Sequence, residues 1–122
     1  MTARLITILL TSIVLGAAGQ LMLRHSARLL AAPSHLGIWR WLITVFTTPT
    51  IIAAFAFFAI SALGWIIALR EVPLTVAYPM GALAYVIIFT GSYFLFAEPI
   101  TWAKIIGAVL IVTGITIIHL GR

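Results

Sequence analysis

Gly16, Gln20, Arg24 and Arg28 stand at i, i+4, i+8 and i+12, so on a helix they form one gently spiralling stripe. The stripe grades from a residue without a side chain, through a neutral amide, to fixed cations. Gly16 lets another backbone or a substrate come close, and Gln20 offers hydrogen bonds without charge. Arg24 presents a guanidinium whose planar fork can grip two phosphate oxygens. Such a stripe could receive a lipid phosphate at Arg24 and lead its attached polar group inward. The same residues have a plainer use, in which Arg24 and Arg28 snorkel to headgroups and Gln20 bonds a neighbouring helix.

A second group lies in Ala77-Tyr78-Pro79-Met80-Gly81. Pro79 cannot donate to the Thr75 carbonyl and its ring crowds that turn, which predicts a kink, and Gly81 removes a side chain just beyond it. A broken helix in a bilayer is tolerated where it lines a cavity or packs on protein, so this segment points to a substrate path. Tyr78 could supply a hydroxyl to that path, with Tyr85 two turns further along the same face. A packing kink with aromatic fillers is the alternative. Ser61-Ala62-Leu63-Gly64-Trp65 places small residues near mid-span, and Trp65 one turn below could line a cavity or fill a core. Gly107 and Gly114 stand seven apart, about two turns, and leave a flat face for a second helix. That face reads as an assembly surface, and the expected assembly is a dimer.

Other chemistries find no residues to carry them. The sequence has no Cys, no paired carboxylate, no H-E-x-x-H, no Walker loop and no G-x-G-x-x-G. Glu71 and Glu98 sit next to Val-Pro and Pro-Ile at helix ends rather than in a span, and the three His are scattered without ligand spacing. The expectation is therefore no enzyme, no metal site and no cofactor, and neither an ATP-driven pump nor a carboxylate proton relay in mid-membrane.

The elements that must position these residues follow from composition. Of 122 residues 64% are hydrophobic and 7% charged, against about 25% charged in a soluble domain. A water-facing shell cannot be built from so few charges, and the protein is expected to be integral to a membrane. A net charge of +5 then suits anionic lipid headgroups rather than nucleic acid. Spanning helices need roughly 20 apolar residues. Four fit, over about Leu5 to Leu23, Thr50 to Leu69, Leu74 to Phe96 and Trp102 to Leu120, forming a single four-helix transmembrane domain over residues 1–122. The runs are continuously apolar, unlike the alternating strands of a barrel. A cleavable leader at Arg4 is disfavoured, because Gln20 and Arg24 follow without an A-x-A site. Between the first two spans, Ile38 to Phe46 suits a short amphipathic helix in the headgroup region, or an extension of the second span that Pro49 should interrupt. Orientation is weakly specified, since Arg4, Arg70 and Arg122 oppose Arg24, Arg28, Arg40 and Lys104.

The four-span plan, Gly16-Ala17-Ala18-Gly19-Gln20-Leu21, Val72-Pro73-Leu74-Thr75-Val76-Ala77-Tyr78-Pro79-Met80, Glu98-Pro99-Ile100 and the Gly107/Gly114 pair resemble the small multidrug resistance-like branch of the drug/metabolite transporter superfamily. Within it, A-G-Q in the first helix and V-P-x-x-x-A-Y-P-M entering the third are similar to the undecaprenyl-phosphate–aminoarabinose flippase subunits. The drug exporters of this branch carry a Glu in the first helix where this chain has Gly16. The resemblance therefore implies a bacterial inner-membrane transporter of a polyprenyl-phosphate-linked sugar, paired with itself or with a paralogous subunit. Arg24 would meet the phosphate, and Gln20, Tyr78 and Pro79 the polar headgroup. An exporter with another coupling chemistry and a non-transporting partner of a glycolipid-modifying enzyme are the alternatives.

Overall fold

The computed structural model describes residues 2–30 and 33–121, and among them it is helical without a strand. The helices are α1 (Ala3–Leu29), α2 (Pro33–Leu36), α3 (Ile38–Thr47), α4 (Pro49–Leu69), α5 (Leu74–Gly81), α6 (Leu83–Phe96) and α7 (Trp102–Leu120). Four stretches are long and apolar enough to cross a membrane: α1, α4, α5 with α6, and α7, of 27, 21, 23 and 19 residues. The chain is a multi-pass, all-α membrane protein. Arg122 lies outside the described residues.

The Thr2 hydroxyl caps α1 by accepting from the Leu5 N–H at 3.3 Å. At its other end α1 runs six residues past the expected boundary at Leu23, through Arg24, His25 and Arg28. Hydropathy marks where the side chains leave hydrocarbon, whereas the backbone stays helical as long as its residues favour it, and Arg is a good helix former.

α3 is a separate helix. Thr48 is extended and Pro49 starts α4, where its missing N–H costs no bond. Ile38, Trp39, Ile43 and Phe46 are exposed and fall on one side of α3, which suits a helix lying in the headgroup plane. Phe46 stacks on Phe55 of α4 with ring centres 6.3 Å apart.

In the third span, Pro79 lies inside α5 and the interruption falls at Ala82. There the Ala82 N–H bonds the Pro79 carbonyl and the Tyr85 N–H bonds the Ala82 carbonyl, both at 3.0 Å. These are tight three-residue turns in place of the α-helical step. The irregularity thus sits just beyond Gly81, which after Pro79 is the weakest helix former in the segment.

The core lies toward the N-terminal side of the bilayer. Leu5, Leu9 and Ile13 of α1 pack there with Ala68, Val72 and, from α5, Val76, Ala77 and Met80. α1 and α4 approach closely, because a side chain at Gly64 would run into Ser12 Oγ. At the same crossing Ser61 Oγ donates to the Ser12 carbonyl at 2.7 Å. Small residues and inter-helix hydrogen bonds of this kind are what hold helices together where lipid is as apolar as the core. α6 and α7 contain no buried residue.

Candidate functional site

Ser12, Gly16 and Gln20 continue one stripe along α1 and face a cleft of about 760 Å³ between α1, α4 and the α5–α6 span. That volume is within the roughly 300–1,000 Å³ usual for small-molecule sites. From α4 come Phe58, Ser61 and Trp65, and from the third span Tyr78, Pro79 and Tyr85. The interruption at Ala82 is at the cleft wall, and the Trp65 ring rests against it. A Cβ on Gly81 would lie 3.3 Å from Trp65 Cζ2.

The polar inventory is short and uncharged. Ser12 Oγ donates to the Ile8 carbonyl at 2.9 Å and Ser61 Oγ to the Ser12 carbonyl, so both hydroxyl protons are already used. Each serine therefore has only lone pairs to offer a ligand. Gln20, Tyr78 and Tyr85 are exposed and contribute an amide and two phenols, which can donate and accept. Among the described residues, neither a carboxylate nor a basic side chain lines the cleft.

Arg24 is outside that lining. It stands one turn past Gln20, about 6 Å of helix rise, and is paired with a residue 74 positions away. Its Nε donates to Glu98 Oε1 at 2.9 Å, and its Nη2 lies 2.8 Å from the same oxygen. Two donors on one oxygen fall short of the two-on-two fork that makes Arg–carboxylate pairs strong. The side chains are 51% and 35% exposed, and a pair so accessible contributes about 0–1 kcal/mol. The position of Glu98 is set by the end of α6. Ala97 adopts the left-handed conformation at φ 53°, which costs a non-glycine residue roughly 1–2 kcal/mol. The Glu98 N–H then reaches back to the Ser92 carbonyl at 3.3 Å. On the far side of the connection, Lys104 Nζ donates to the Pro99 carbonyl at 2.9 Å.

The same end holds Phe96 between two basic side chains of α1. His25 stacks on it at 6.5 Å and the Arg28 guanidinium lies 5.7 Å from the ring centre. Beside them an apolar cleft of about 530 Å³ runs between Leu21, Met22, Thr50 and Leu95.

Of the residues singled out in the sequence, Gly16, Gln20, Trp65, Tyr78, Pro79 and Tyr85 meet in one cleft, and Arg24 meets Glu98 outside its lining, one turn beyond Gln20. Gly107 and Gly114 lie elsewhere on α7, with open space where a side chain would stand. Sequence reasoning overlooked Ser12, although it extends the same stripe by one turn, and it treated Glu98 only as a helix-end residue. His, Cys, Asp and Glu side chains form no metal-competent group among the described residues.

The chain is similar to three curated proteins along most of its length. Each is described as a "probable 4-amino-4-deoxy-L-arabinose-phosphoundecaprenol flippase subunit ArnF". The one from Erwinia tasmaniensis is 34% identical over 113 residues, covering 89% of this chain and 89% of the relative. That from Pseudomonas savastanoi pv. phaseolicola is 34% identical over 120 residues, covering 93% and 85%. That from Pseudomonas fluorescens is 32% identical over 119 residues, covering 90% and 83%. No family model and no solved structure matches the chain.

Proposed function

The chain belongs to the family of 4-amino-4-deoxy-L-arabinose-phosphoundecaprenol flippase subunits, and on that premise we propose that it moves this lipid-linked amino sugar across the bacterial inner membrane. The observation that carries the reading in this molecule is the neutral, phenol- and amide-bearing cleft opening one turn below Arg24. A sugar needs hydrogen bonds in the membrane interior, where each unsatisfied polar group costs several kcal/mol. Gln20, Tyr78 and Tyr85 supply them as the headgroup passes, with Gly16 and the small residues at the Ala82 break leaving room. Arg24 takes the phosphate at the mouth, and the apolar cleft beside Phe96 receives the first part of the prenyl chain. The protein acts as a transporter and not as a catalyst. An exporter of cationic drugs fits less well, since the lining residues give a cation no charge partner.

The transporter is completed by a second subunit on α7, where Gly107 and Gly114 leave a groove free of side chains. That subunit is a second copy or a paralogue.

The test is mass spectrometry of lipids retained by the purified protein, followed by a flipping assay in proteoliposomes. Retention of the lipid-linked amino sugar above bulk phospholipid, with flipping, is the expected result. Retention of phospholipid alone together with dye efflux would replace this reading with the exporter. Co-purification with a glycolipid-modifying enzyme, without flipping, would make the chain a partner subunit of that enzyme.

A further inference from the structure

We propose that Arg24 and Glu98 together form a split ion-pair receptor for a zwitterionic headgroup, Arg24 taking the lipid phosphate and Glu98 the ammonium of the attached sugar. The inference rests on the function proposed above and adds what selects the amino sugar from other lipids on the same carrier. It starts from the state of the pair. Arg24 Nε and Nη2 both approach the single oxygen Glu98 Oε1, and both side chains are partly exposed, Arg24 standing one helical turn beyond Gln20 of the cleft lining. A pair made this way is easily opened.

What opens it is decided by charge. A ligand bearing only a phosphate would take Arg24 and leave the Glu98 carboxylate unpaired beside a second anion. A ligand bearing only an amine would strand Arg24 in the same way. A ligand carrying both charges replaces each partner and leaves neither alone, so the exchange of pairs is balanced. A primary amine on a saturated ring is protonated near neutral pH, which makes the phosphate-linked amino sugar such a ligand.

The surroundings leave the amine few other places. The cleft lining is uncharged among the described residues. The other charged groups described at that end are basic: Arg28 against Phe96, Lys104 on the Pro99 carbonyl and Arg40 exposed on α3. These favour the phosphate and repel an ammonium. Glu71, the other carboxylate, closes α4 at the opposite end of the spans. The Glu98 backbone is held in place by the left-handed turn at Ala97 and the bond from its own N–H to Ser92, so opening the pair leaves its carboxylate near Arg24.

The experiment compares binding of three lipids to the purified transporter in nanodiscs: the undecaprenyl-phosphate amino sugar, its N-acetylated form and undecaprenyl phosphate. Acetylation removes the positive charge and keeps the ring, the phosphate and the tail. The wild-type protein should prefer the free amine over the N-acetyl form by about tenfold, the scale of one lost charge-assisted contact. Glu98→Gln should bind the two forms alike, because it has no charge to offer the amine. Glu98→Asp should keep most of the preference. Equal binding of amine and N-acetyl forms by the wild type would overturn the inference, and this comparison needs no variant should Glu98→Gln fail to insert. Preference surviving unchanged in an inserted Glu98→Gln would overturn it as well. Failure of the wild type to bind any of the three above bulk phospholipid would instead remove the function on which it rests, whereas tight but indiscriminate binding would leave that function standing.

Discussion

At the scale of single residues, the three arginines near the far membrane surface are set apart by what they touch. Arg24 is paired with Glu98 one turn beyond Gln20 of the cleft, Arg28 lies over Phe96, and Arg40 is exposed on α3. If Arg24 meets the phosphate, Arg24→Ala should abolish flipping while leaving insertion intact. Arg24→Lys should retain only part of the activity, because an ammonium keeps the charge but loses the planar fork. Arg28→Ala gives up a cation–π contact worth about 0.5–1 kcal/mol at an exposed site and should flip nearly normally, as should Arg40→Ala. The measurement is a side-by-side assay normalised to inserted protein. Equal, mild losses in all three would assign them to headgroup anchoring alone, through the weak charge bias that orients the chain.

At the scale of elements, the cleft depends on how closely α1 and α4 cross, and Gly64 fixes that approach. A side chain there would displace Ser12 Oγ from its bond to the Ile8 carbonyl and crowd the Ser61–Ser12 contact. Replacing glycine by alanine in a helix ordinarily gains about 1 kcal/mol in propensity, which opposes the clash and blurs the result. Gly64→Leu gains similar propensity but adds a bulk the crossing cannot absorb, and overpacking of that kind costs about 1–3 kcal/mol. It should lower the thermal midpoint in detergent and reduce flipping together. An unchanged midpoint would mean that α1 and α4 can separate without loss, and that the serine contacts do not hold the crossing. The third span shows a related division of labour. α5 buries Val76, Ala77 and Met80 in the core shared by α1 and the end of α4, while α6 beyond the Ala82 break buries nothing.

At the scale of the whole molecule, the packing is uneven in a way that points outward. The core gathers toward the N-terminal side, and α7 contributes no buried residue. A spanning helix held so lightly by its own chain has a face available to another, and on α7 that face includes Gly107 and Gly114. Substituting both by Leu should fill the groove and weaken association between subunits, read as a loss of crosslinking from α7. The four-span monomer itself should persist, because a Cβ at either glycine would meet nothing within 4 Å. Unchanged crosslinking would move the interface to another helix.

What the sequence determined by itself were the properties that depend on neighbours along the chain. Continuous apolar runs set the four spans, Pro49 set the break between α3 and α4, and four-residue spacing set the stripe through Gly16 and Gln20 that lines the cleft. The tertiary structure decided everything that depends on how one helix is rotated against another. Glu98 meets Arg24 across 74 positions and Ser61 meets Ser12 across 49, and no local pattern announces either pairing. It also decided that the third span is interrupted at Ala82, and that Gly64 leaves the room Ser12 Oγ occupies. The reason is the solvent. In water the apolar stripe of a helix marks its buried side, but in a bilayer the lipid-facing and protein-facing sides are both apolar. Rotation and register are then settled by small residues and a few hydrogen bonds, which hydropathy does not weigh and only the packed helices reveal.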